Sequence, residues 1–231
     1  MYSTYAAIAA TRNPTPPMPP VAAGSSSGKG HWLDPLAPAG MIVRLGRNAE
    51  IMAQDEPSDY CYQIVSGCVR TAMVMEDGRR QIGEFLFAGD LLGYETTGRQ
   101  PYAASSITEV TLRRFRRSAI ENYAARDAAF DQNLRQYLAT QLRAARNRLA
   151  LLGRGTAGER IMSFLREMQG RLCVASGAAF EIPMKLTDVA DYLGLALETV
   201  CRGMADLRKA GVISANRTHF AIQSGATRVL H

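Results

Sequence analysis

Histidine and cysteine are scarce in this chain of 231 residues. There are three histidines, none of them between residues 32 and 218, and four cysteines without a CxxC pair. Metal-dependent barrel enzymes of the cupin type need histidine-rich ligation, and zinc sites and disulfide frameworks need other cysteine spacings, so the sequence argues against these classes. An enzyme of the barrel type is disfavoured further, because no histidine, paired carboxylates or nucleophile–base set converges in residues 41–115. We therefore predict no metal site, no catalytic residues and no enzyme activity.

The chain also lacks a long apolar run. No stretch approaches the roughly 20 apolar residues that a transmembrane helix needs. The first residues carry no basic segment ahead of an apolar one, as a secretory signal would. We therefore expect a cytoplasmic protein without a membrane partner. Lysine and arginine total 27 against 21 acidic residues, and the net charge of +6 fits a polyanionic partner such as nucleic acid.

Proline is concentrated at the N-terminus. Residues 1–38 hold seven of the ten prolines. Proline, glycine and serine at this density leave too little apolar surface to stabilise an ordered structure. We predict that residues 1–38 form a disordered N-terminal arm, and a flexible tail without a role is its simplest interpretation.

Short apolar segments separated by glycine fill residues 39–125. Segments such as YCYQIVSG and CVRTAMVMEDG are rich in β-branched and aromatic residues. Many short strands at this spacing favour a small antiparallel barrel or sandwich. Asp77 and Gly78 stand between two of the segments, where they predict a tight hairpin with positive φ at both turn positions.

Between residues 126 and 153 the apolar pattern changes to a helical period. Apolar residues recur every three or four positions, which aligns a stripe along one face of a helix of about seven turns. The stripe consists of Leu134, Leu138, Leu142, Ala145, Leu149 and Leu152. It can face the core of one subunit or form a seam between two copies. We favour a dimerisation helix, because the segments on either side look like complete folding units.

Residues 154–231 contain two short helical segments joined by a tight turn. The segment 187–211 gives a short amphipathic helix, a turn at Gly194 and a second helix starting near Leu197, which is helix-turn-helix spacing. An ordinary helical hairpin gives a similar pattern. Two short strands after Gly211 add a β-wing, which favours the DNA-binding interpretation.

The exposed face of the second helix carries a carboxylate and a guanidinium one turn apart. Glu198 and Arg202 lie near the helix N-terminus, where recognition helices meet base edges. Arginine can donate to guanine O6 and N7 and glutamate can accept from cytosine N4, so the two are candidates for recognising a G·C pair while their ion pair holds the arginine. The alternative is a plain solvent salt bridge. Leu197 is a candidate contact for a thymine methyl group. The candidates for phosphate contacts, which position a protein without specifying sequence, are Thr187, Thr199, Arg208, Lys209 and Arg217.

The run ETVCR at 198–202 resembles the E-x-x-S-R recognition-helix signature of the CRP/FNR family of bacterial transcription regulators. The preceding DVADYLGL and the order of segments over about residues 40–222 resemble the same family. The resemblance implies an α+β fold with an N-terminal antiparallel β-roll (a cupin-like jelly roll), a long dimerisation helix and a C-terminal winged helix-turn-helix. It implies a homodimeric, sequence-specific regulator of the activator type, with double-stranded DNA and RNA polymerase as partners. The FNR branch binds TTGAT-type inverted repeats, so the resemblance assigns the G·C pair of that half-site to Glu198 and Arg202.

Differences from the cofactor-binding branches of the family indicate which branch this chain resembles. The arm has no cysteines for an iron–sulfur cluster, and the β-roll has no histidine for haem. The cyclic-AMP branch uses a Gly-Glu and an Arg-Ser pair, whereas the matching stretches here are Gly93-Tyr94-Glu95 and Gln100-Pro101. We therefore predict no cofactor and no cyclic-nucleotide control, as in the FixK-type branch. A β-roll gated by an unidentified small effector stays open as the alternative.

Cys201 occupies the serine position of the signature. Oxidation of a thiol at the DNA surface would add bulk and negative charge there, so we hypothesise that oxidation of Cys201 blocks DNA binding. The equal alternative is that the cysteine only replaces serine as a small contact residue. Cys61, Cys68 and Cys173 lie in apolar runs and are expected in the core.

Overall fold

Two four-stranded antiparallel sheets form the N-terminal part of the chain in the computed structural model, which describes residues 31–94, 98–172, 174–175, 178–216 and 219–223. The strands are β1 (Met41–Leu45), β2 (Glu50–Met52), β3 (Tyr60–Ser66), β4 (Val69–Val74), β5 (Arg80–Leu86), β6 (Leu91–Leu92), β7 (Ala103–Ser106) and β8 (Val110–Arg116). Their orders are β1-β8-β3-β6 and β2-β7-β4-β5. Ile64, Val69 and Leu112 are fully buried in a core shared by the two sheets. The predicted antiparallel β-roll is confirmed.

The hairpin between β4 and β5 differs in detail from the prediction. Its loop runs from Met75 to Arg79, and the Met75 amide donates to the Arg79 carbonyl. Gly78 has φ +79°, whereas Asp77 is not among the described residues with positive φ. The hairpin is therefore present, but the two-residue turn with two positive φ angles is wrong, because a longer loop needs only one left-handed residue.

The end of the predicted arm is ordered. Residues 1–30 lie outside the described residues, but a short 3₁₀ helix spans Asp34–Ala39 and Leu33 is fully buried. The ring of Trp32 lies 5.4 Å from that of Phe130 and 5.5 Å from that of Tyr137. The prediction of disorder as far as residue 38 is thus wrong for residues 31–38. Proline at the start of a helix lacks only an amide that would go unbonded, and these apolar side chains supply the missing packing.

Helices make up most of the remaining chain. They are α1 (Arg117–Ala124), α2 (Ala128–Arg154), α3 (Ala157–Arg171), α4 (Leu186–Leu193) and α5 (Leu197–Lys209). Asp127 caps α2, and the Thr156 hydroxyl and Glu159 carboxylate form a reciprocal capping box on α3. The sequence did not predict α1, which follows β8 directly and has no side-chain cap.

The apolar stripe on α2 has two environments. Leu134 is 4% exposed and packs with the 3₁₀ segment of its own chain, and Leu138 is partly buried against the same cluster. Further along the helix, Leu142 is 53% and Leu149 is 73% exposed, and Ala145 is also exposed. The part of the stripe free for a second copy is therefore its C-terminal half. Neither α2 nor another helix within the described ranges is long and apolar enough to cross a lipid bilayer.

A further hydrophobic core lies between the β-roll and the helical C-terminal part. The ring of Phe85 lies 6.2 Å from that of Phe164 and 5.1 Å from that of Tyr192. Burial raises the pKa of Tyr192 well above its ordinary value, so its hydroxyl stays protonated and donates to Glu167 at 2.9 Å. Arg171 and Asp90 form a buried ion pair across the same boundary, at 3.1 Å. The β-roll and the C-terminal helices of one chain are therefore packed against each other.

Candidate nucleic-acid interface

Helices α4 and α5 form the predicted helix-turn-helix. Gly194 ends α4 with φ 61° and ψ 42°, a left-handed conformation that glycine adopts without steric cost. The inner faces predicted from the apolar spacing are all buried. They consist of Val189, Ala190 and Leu193 on α4, and of Val200, Met204 and Leu207 on α5. The packing of these faces leaves the opposite side of α5 to solvent.

The base-contact candidates lie on that solvent side. Glu198, Cys201 and Arg202 are exposed, and Leu197 is 37% exposed. Among the described residues no ion pair joins Glu198 to Arg202, so the predicted salt bridge is wrong for the chain without DNA. An exposed pair gains only a few tenths of a kcal/mol and loses side-chain entropy, which explains why the two stay apart. Both groups can therefore turn towards a base edge.

The phosphate candidates surround this face only in part. Thr187 is exposed in the first turn of α4, and Thr199 is half-buried on α5. Arg208 and Lys209 are exposed in the last turn of α5, where their charges also suit the helix dipole. Arg217 lies outside the described residues.

One strand before α4 and two strands after α5 form a small sheet. Strands β9 (Phe180–Glu181), β10 (Ile213–Asn216) and β11 (His219–Ile222) pair in the order β10-β11-β9. The rings of Phe180 and Phe220 lie 6.3 Å apart and both are buried. The predicted wing strands are thus confirmed, and the two residues of the turn between them lie outside the described ranges.

Gly203 allows α5 to pack closely on α3, a contact that the sequence did not reveal. A Cβ atom at this position would lie 2.5 Å from Cδ1 of Ile161. Ile161 is fully buried, so its side chain would have to repack within the core to make room. The glycine therefore lowers the helix propensity of α5, but it permits α5 to pack close to α3. The distance between the two helices determines where α5 lies in the domain.

We expect Gly203→Ala to destabilise the chain. Overpacking costs about 1–3 kcal/mol, which exceeds the gain in helix propensity of up to about 1 kcal/mol. Urea unfolding measures the change. Gly153→Ala in α2 is the matched control, since no atom lies within 4 Å of its added Cβ and it should gain stability. A Gly203→Ala chain as stable as the wild type would contradict this account.

The structure also shows contacts of α4 that sequence reasoning missed. Asp188 on α4 is 3% exposed because the β-roll covers it. Its carboxylate accepts from Arg70 at 2.9 Å and from Arg80 at 2.7 Å. The available signal was a pair of acidic residues, Asp188 and Asp191, on one face of a helix whose other polar residues face solvent. Nothing in the sequence linked that face to arginines more than a hundred positions away.

Two family models match the chain. One describes a cyclic nucleotide-binding domain and matches residues 42–127. The other describes a Crp-like helix-turn-helix domain and matches residues 159–224, which contain α4, α5 and the wing strands.

The β-roll residues do not fit the phosphate of a cyclic nucleotide. Gln100 stands at the position matched to the phosphate-binding arginine, is 2% exposed and donates to the Gly93 carbonyl at 3.4 Å. Arg117 donates to the carbonyls of Gly93 at 2.6 Å and Tyr94 at 2.9 Å, and Arg99 donates to another backbone carbonyl. The guanidinium groups of Arg99 and Arg117 thus bind backbone oxygen atoms. We therefore assign no step to a cyclic nucleotide.

Individual relatives are similar over most of the chain. The nitrogen fixation regulation protein FixK of Azorhizobium caulinodans is 37% identical over 186 residues, which cover 77% of this chain and 75% of the relative. The transcriptional activatory protein AadR of Rhodopseudomonas palustris is 32% identical over 173 residues, covering 74% and 72%. The structure of FixK2 from Bradyrhizobium japonicum matches with a TM-score of 0.74 and 35% identity, covering 80% of this chain and 93% of that one. The chain therefore belongs to the CRP/FNR family of transcription regulators, in its FixK-type branch.

Proposed function

We propose that the chain acts as a homodimeric transcription activator that recognises an inverted repeat in DNA. The observation that carries this proposal is the exposed Glu198 and Arg202 pair on α5, held outward by a fully apolar inner face. Two recognition helices related by a twofold axis would enter major grooves about 34 Å apart. Similarity to FixK and AadR supports a regulatory role, and the name of AadR supports activation, for which RNA polymerase is the partner.

The recognition chemistry follows from the two side chains. The arginine can donate two hydrogen bonds to O6 and N7 of guanine, and the carboxylate can accept one from N4 of cytosine. A TTGAT-type half-site contains one G·C pair, so a single Glu198 and Arg202 couple suffices for it. Leu197 would contact a thymine methyl group, and its partial exposure leaves the side chain accessible.

Phosphate contacts supply affinity without sequence preference. The exposed Arg208 and Lys209 at the C-terminal end of α5 and Thr187 at the start of α4 are proposed for this role. Thr199 and Arg217 are further candidates from the sequence. Each cation that neutralises a phosphate steepens the salt dependence of binding.

The proposed dimer would form along α2. Leu142, Ala145 and Leu149 are exposed at helical spacing, and Leu152 continues their line. Exposed leucines so arranged are unfavourable in water, and a second copy packing stripe to stripe would cover them. Leu134 and Leu138 already pack within their own chain. The proposed contact between the two copies would therefore begin after them.

A binding titration tests the function. The purified chain should bind a duplex with an inverted TTGAT-type repeat at least about a thousandfold more tightly than a scrambled duplex of equal length at physiological salt. Equal affinity for the two duplexes would contradict the proposal.

Cys201 is proposed as a redox-sensitive position in this interface. Its thiol is exposed next to Arg202, whereas Cys61 and Cys68 are buried. Burial raises the pKa of Cys68 to about 12, which keeps that thiol protonated and unreactive. Cys173 lies outside the described residues. Hydrogen peroxide converts a thiol to sulfenic acid and water, and the added oxygen at Cys201 would crowd the base edges.

We expect peroxide to weaken binding of the wild-type chain to its repeat by about tenfold or more, comparable to the loss of a base contact. The Cys201→Ser chain should bind before and after treatment with equal affinity. A reductant should restore wild-type binding if oxidation stops at the sulfenic acid. Equal loss in both chains would rule out the switch and leave Cys201 as a small contact residue.

A ligand-gated regulator is the second candidate function. The Tyr102 hydroxyl is buried beside the β-roll core with no hydrogen-bond partner among the described residues. A small polar effector would satisfy it. Thermal unfolding with pooled metabolites distinguishes the two candidates, because a ligand of the native state raises the midpoint.

A further inference from the structure

The hairpin of β4 and β5 holds the first helix of the helix-turn-helix through a group of ion pairs. Arg70 donates to Asp188 at 2.9 Å, and Arg80 donates to Asp188 at 2.7 Å and to Asp191 at 2.6 Å. The Gln81 amide also donates to the backbone carbonyl of Asp191 at 2.6 Å. We call Arg70, Arg80, Asp188 and Asp191 the α4 clamp. It bonds both the first and the second turn of the helix, so it fixes the direction of the helix as well as its position.

One arginine of the α4 clamp, Arg70, is itself fixed to the sheet. Arg70 lies opposite Ser105 in the β4–β7 ladder, and its Nε donates to the Ser105 hydroxyl at 3.1 Å. The Asp188 carboxylate is 4% exposed, whereas Arg80 is 34% and Asp191 is 32% exposed. The clamp thus has a buried centre at Asp188 and an accessible edge at Arg80 and Asp191. Substitution at that edge leaves no buried charge without a partner, so the fold should tolerate it.

The α4 clamp faces away from the candidate DNA side. Thr187 is exposed while its neighbour Asp188 is buried, so adjacent residues of α4 face the solvent and the β-roll. Buried Val189 and Leu193 of α4 lie in one core cluster with Val200 of α5, which transmits the position of α4 to the recognition helix. The clamp therefore acts on Glu198 and Arg202 through α4, without touching DNA.

Helix α2, along which the proposed dimer forms, also contacts α4 and β5. The Arg148 guanidinium of α2 lies 4.5 Å above the Tyr192 ring of α4 and donates to the Gly83 carbonyl of β5. Helix α2, strand β5 and helix α4 therefore meet at one place. In a dimer joined along α2, the separation of the two recognition helices depends on how rigidly each α4 is held here.

We propose that Arg70, Arg80 and Asp191 are positioning residues that set which spacing between half-sites the protein accepts. This inference rests on the proposed dimeric DNA recognition. Shifting one half-site by a base pair displaces it by about 3.4 Å and rotates it by about a tenth of a turn. A rigidly held helix pair cannot follow that change, whereas a pair released from the α4 clamp can.

The test measures affinity for duplexes with identical half-sites and different spacers. The wild-type chain should prefer one spacer over spacers longer or shorter by one or two base pairs. In Arg80→Ala and in Asp191→Asn that preference should fall by about tenfold, a typical coupling for one ion-pair network. The double variant with Arg80→Ala and Asp191→Asn should show nearly the same spacer preference as each single variant, because either change alone breaks the Arg80–Asp191 ion pair.

Arg79→Ala is the matched control. Arg79 directly precedes Arg80 in the same hairpin. Its side chain is 78% exposed, and it pairs with Asp77 rather than with α4. The control removes the same charge and should keep the spacer preference. An unchanged preference in Arg80→Ala and Asp191→Asn, or an equal loss of affinity at every spacer, would overturn the positioning role. A wild-type chain that binds without any spacer preference would instead overturn the proposed dimeric recognition, and the clamp with it.

Discussion

Leu149→Glu is expected to convert the proposed dimer into monomers and to lower affinity for an inverted repeat by about a hundredfold to ten-thousandfold. Leu149 is 73% exposed in the single chain, so the glutamate meets only solvent there. In the proposed seam, two copies would place two carboxylates near each other and lose two buried leucines at about 1.5–3 kcal/mol each. A monomer engages one half-site and loses the gain from the tethered second one.

Sedimentation and DNA titration together measure this result. Asn147→Glu is the matched control, because residue 147 is exposed on the same helix away from the stripe and should leave the dimer intact. The single tryptophan, Trp32, packs on Phe130 and Tyr137 of the same chain. Its fluorescence should be equal in both variants if the monomer stays folded. A Leu149→Glu chain that remains dimeric would show that the seam lies elsewhere.

Arg202→Ala is expected to remove discrimination at the G·C pair of each half-site. Loss of a bidentate arginine–guanine contact costs about 1–3 kcal/mol per half-site, or about 5- to 150-fold. The side chain is exposed in the free protein, so its truncation opens no cavity and should not change the unfolding free energy. The wild-type chain should bind the repeat far more tightly than a repeat with the G·C pair replaced, and Arg202→Ala should bind the two alike.

Lys209→Ala separates base recognition from charge. Lys209 is exposed at the opposite end of α5 and is assigned to phosphate. Its removal should weaken binding to all duplexes by the same factor and reduce the salt slope by about one for each phosphate that is no longer neutralised. If Arg202→Ala behaves like Lys209→Ala, with an unchanged ratio between the two repeats, then Arg202 contacts phosphate and not a base.

The fold was predictable where local pattern and burial agree. Glycine-separated strands indicated a small antiparallel barrel or sandwich, and the spacing of Val200, Met204 and Leu207 identified the buried face of α5. These signals arise within one element, since the period of apolar residues selects the face that is buried. Gly194 likewise indicated a left-handed turn, because glycine adopts that conformation without steric cost.

Features that depend on distant residues were not predictable. Proline content suggested disorder up to residue 38, but Trp32 and Leu33 find partners on α2 and the β-roll that the local sequence does not reveal. The role of Gly203 needed the position of Ile161, which lies on another helix. The α4 clamp joins residues of the hairpin to residues of a helix across the domain boundary, and neither partner carries a signal of the other.

In vitro selection from a random DNA pool tests the central claim most directly, when the wild-type and Arg202→Ala chains are compared under reducing conditions. The account predicts that the wild-type chain enriches an inverted repeat with one invariant G·C pair in each half. It predicts that Arg202→Ala enriches the same repeat with that pair degenerate. A wild-type motif without twofold symmetry, or an Arg202→Ala motif that keeps the G·C pair, would contradict it.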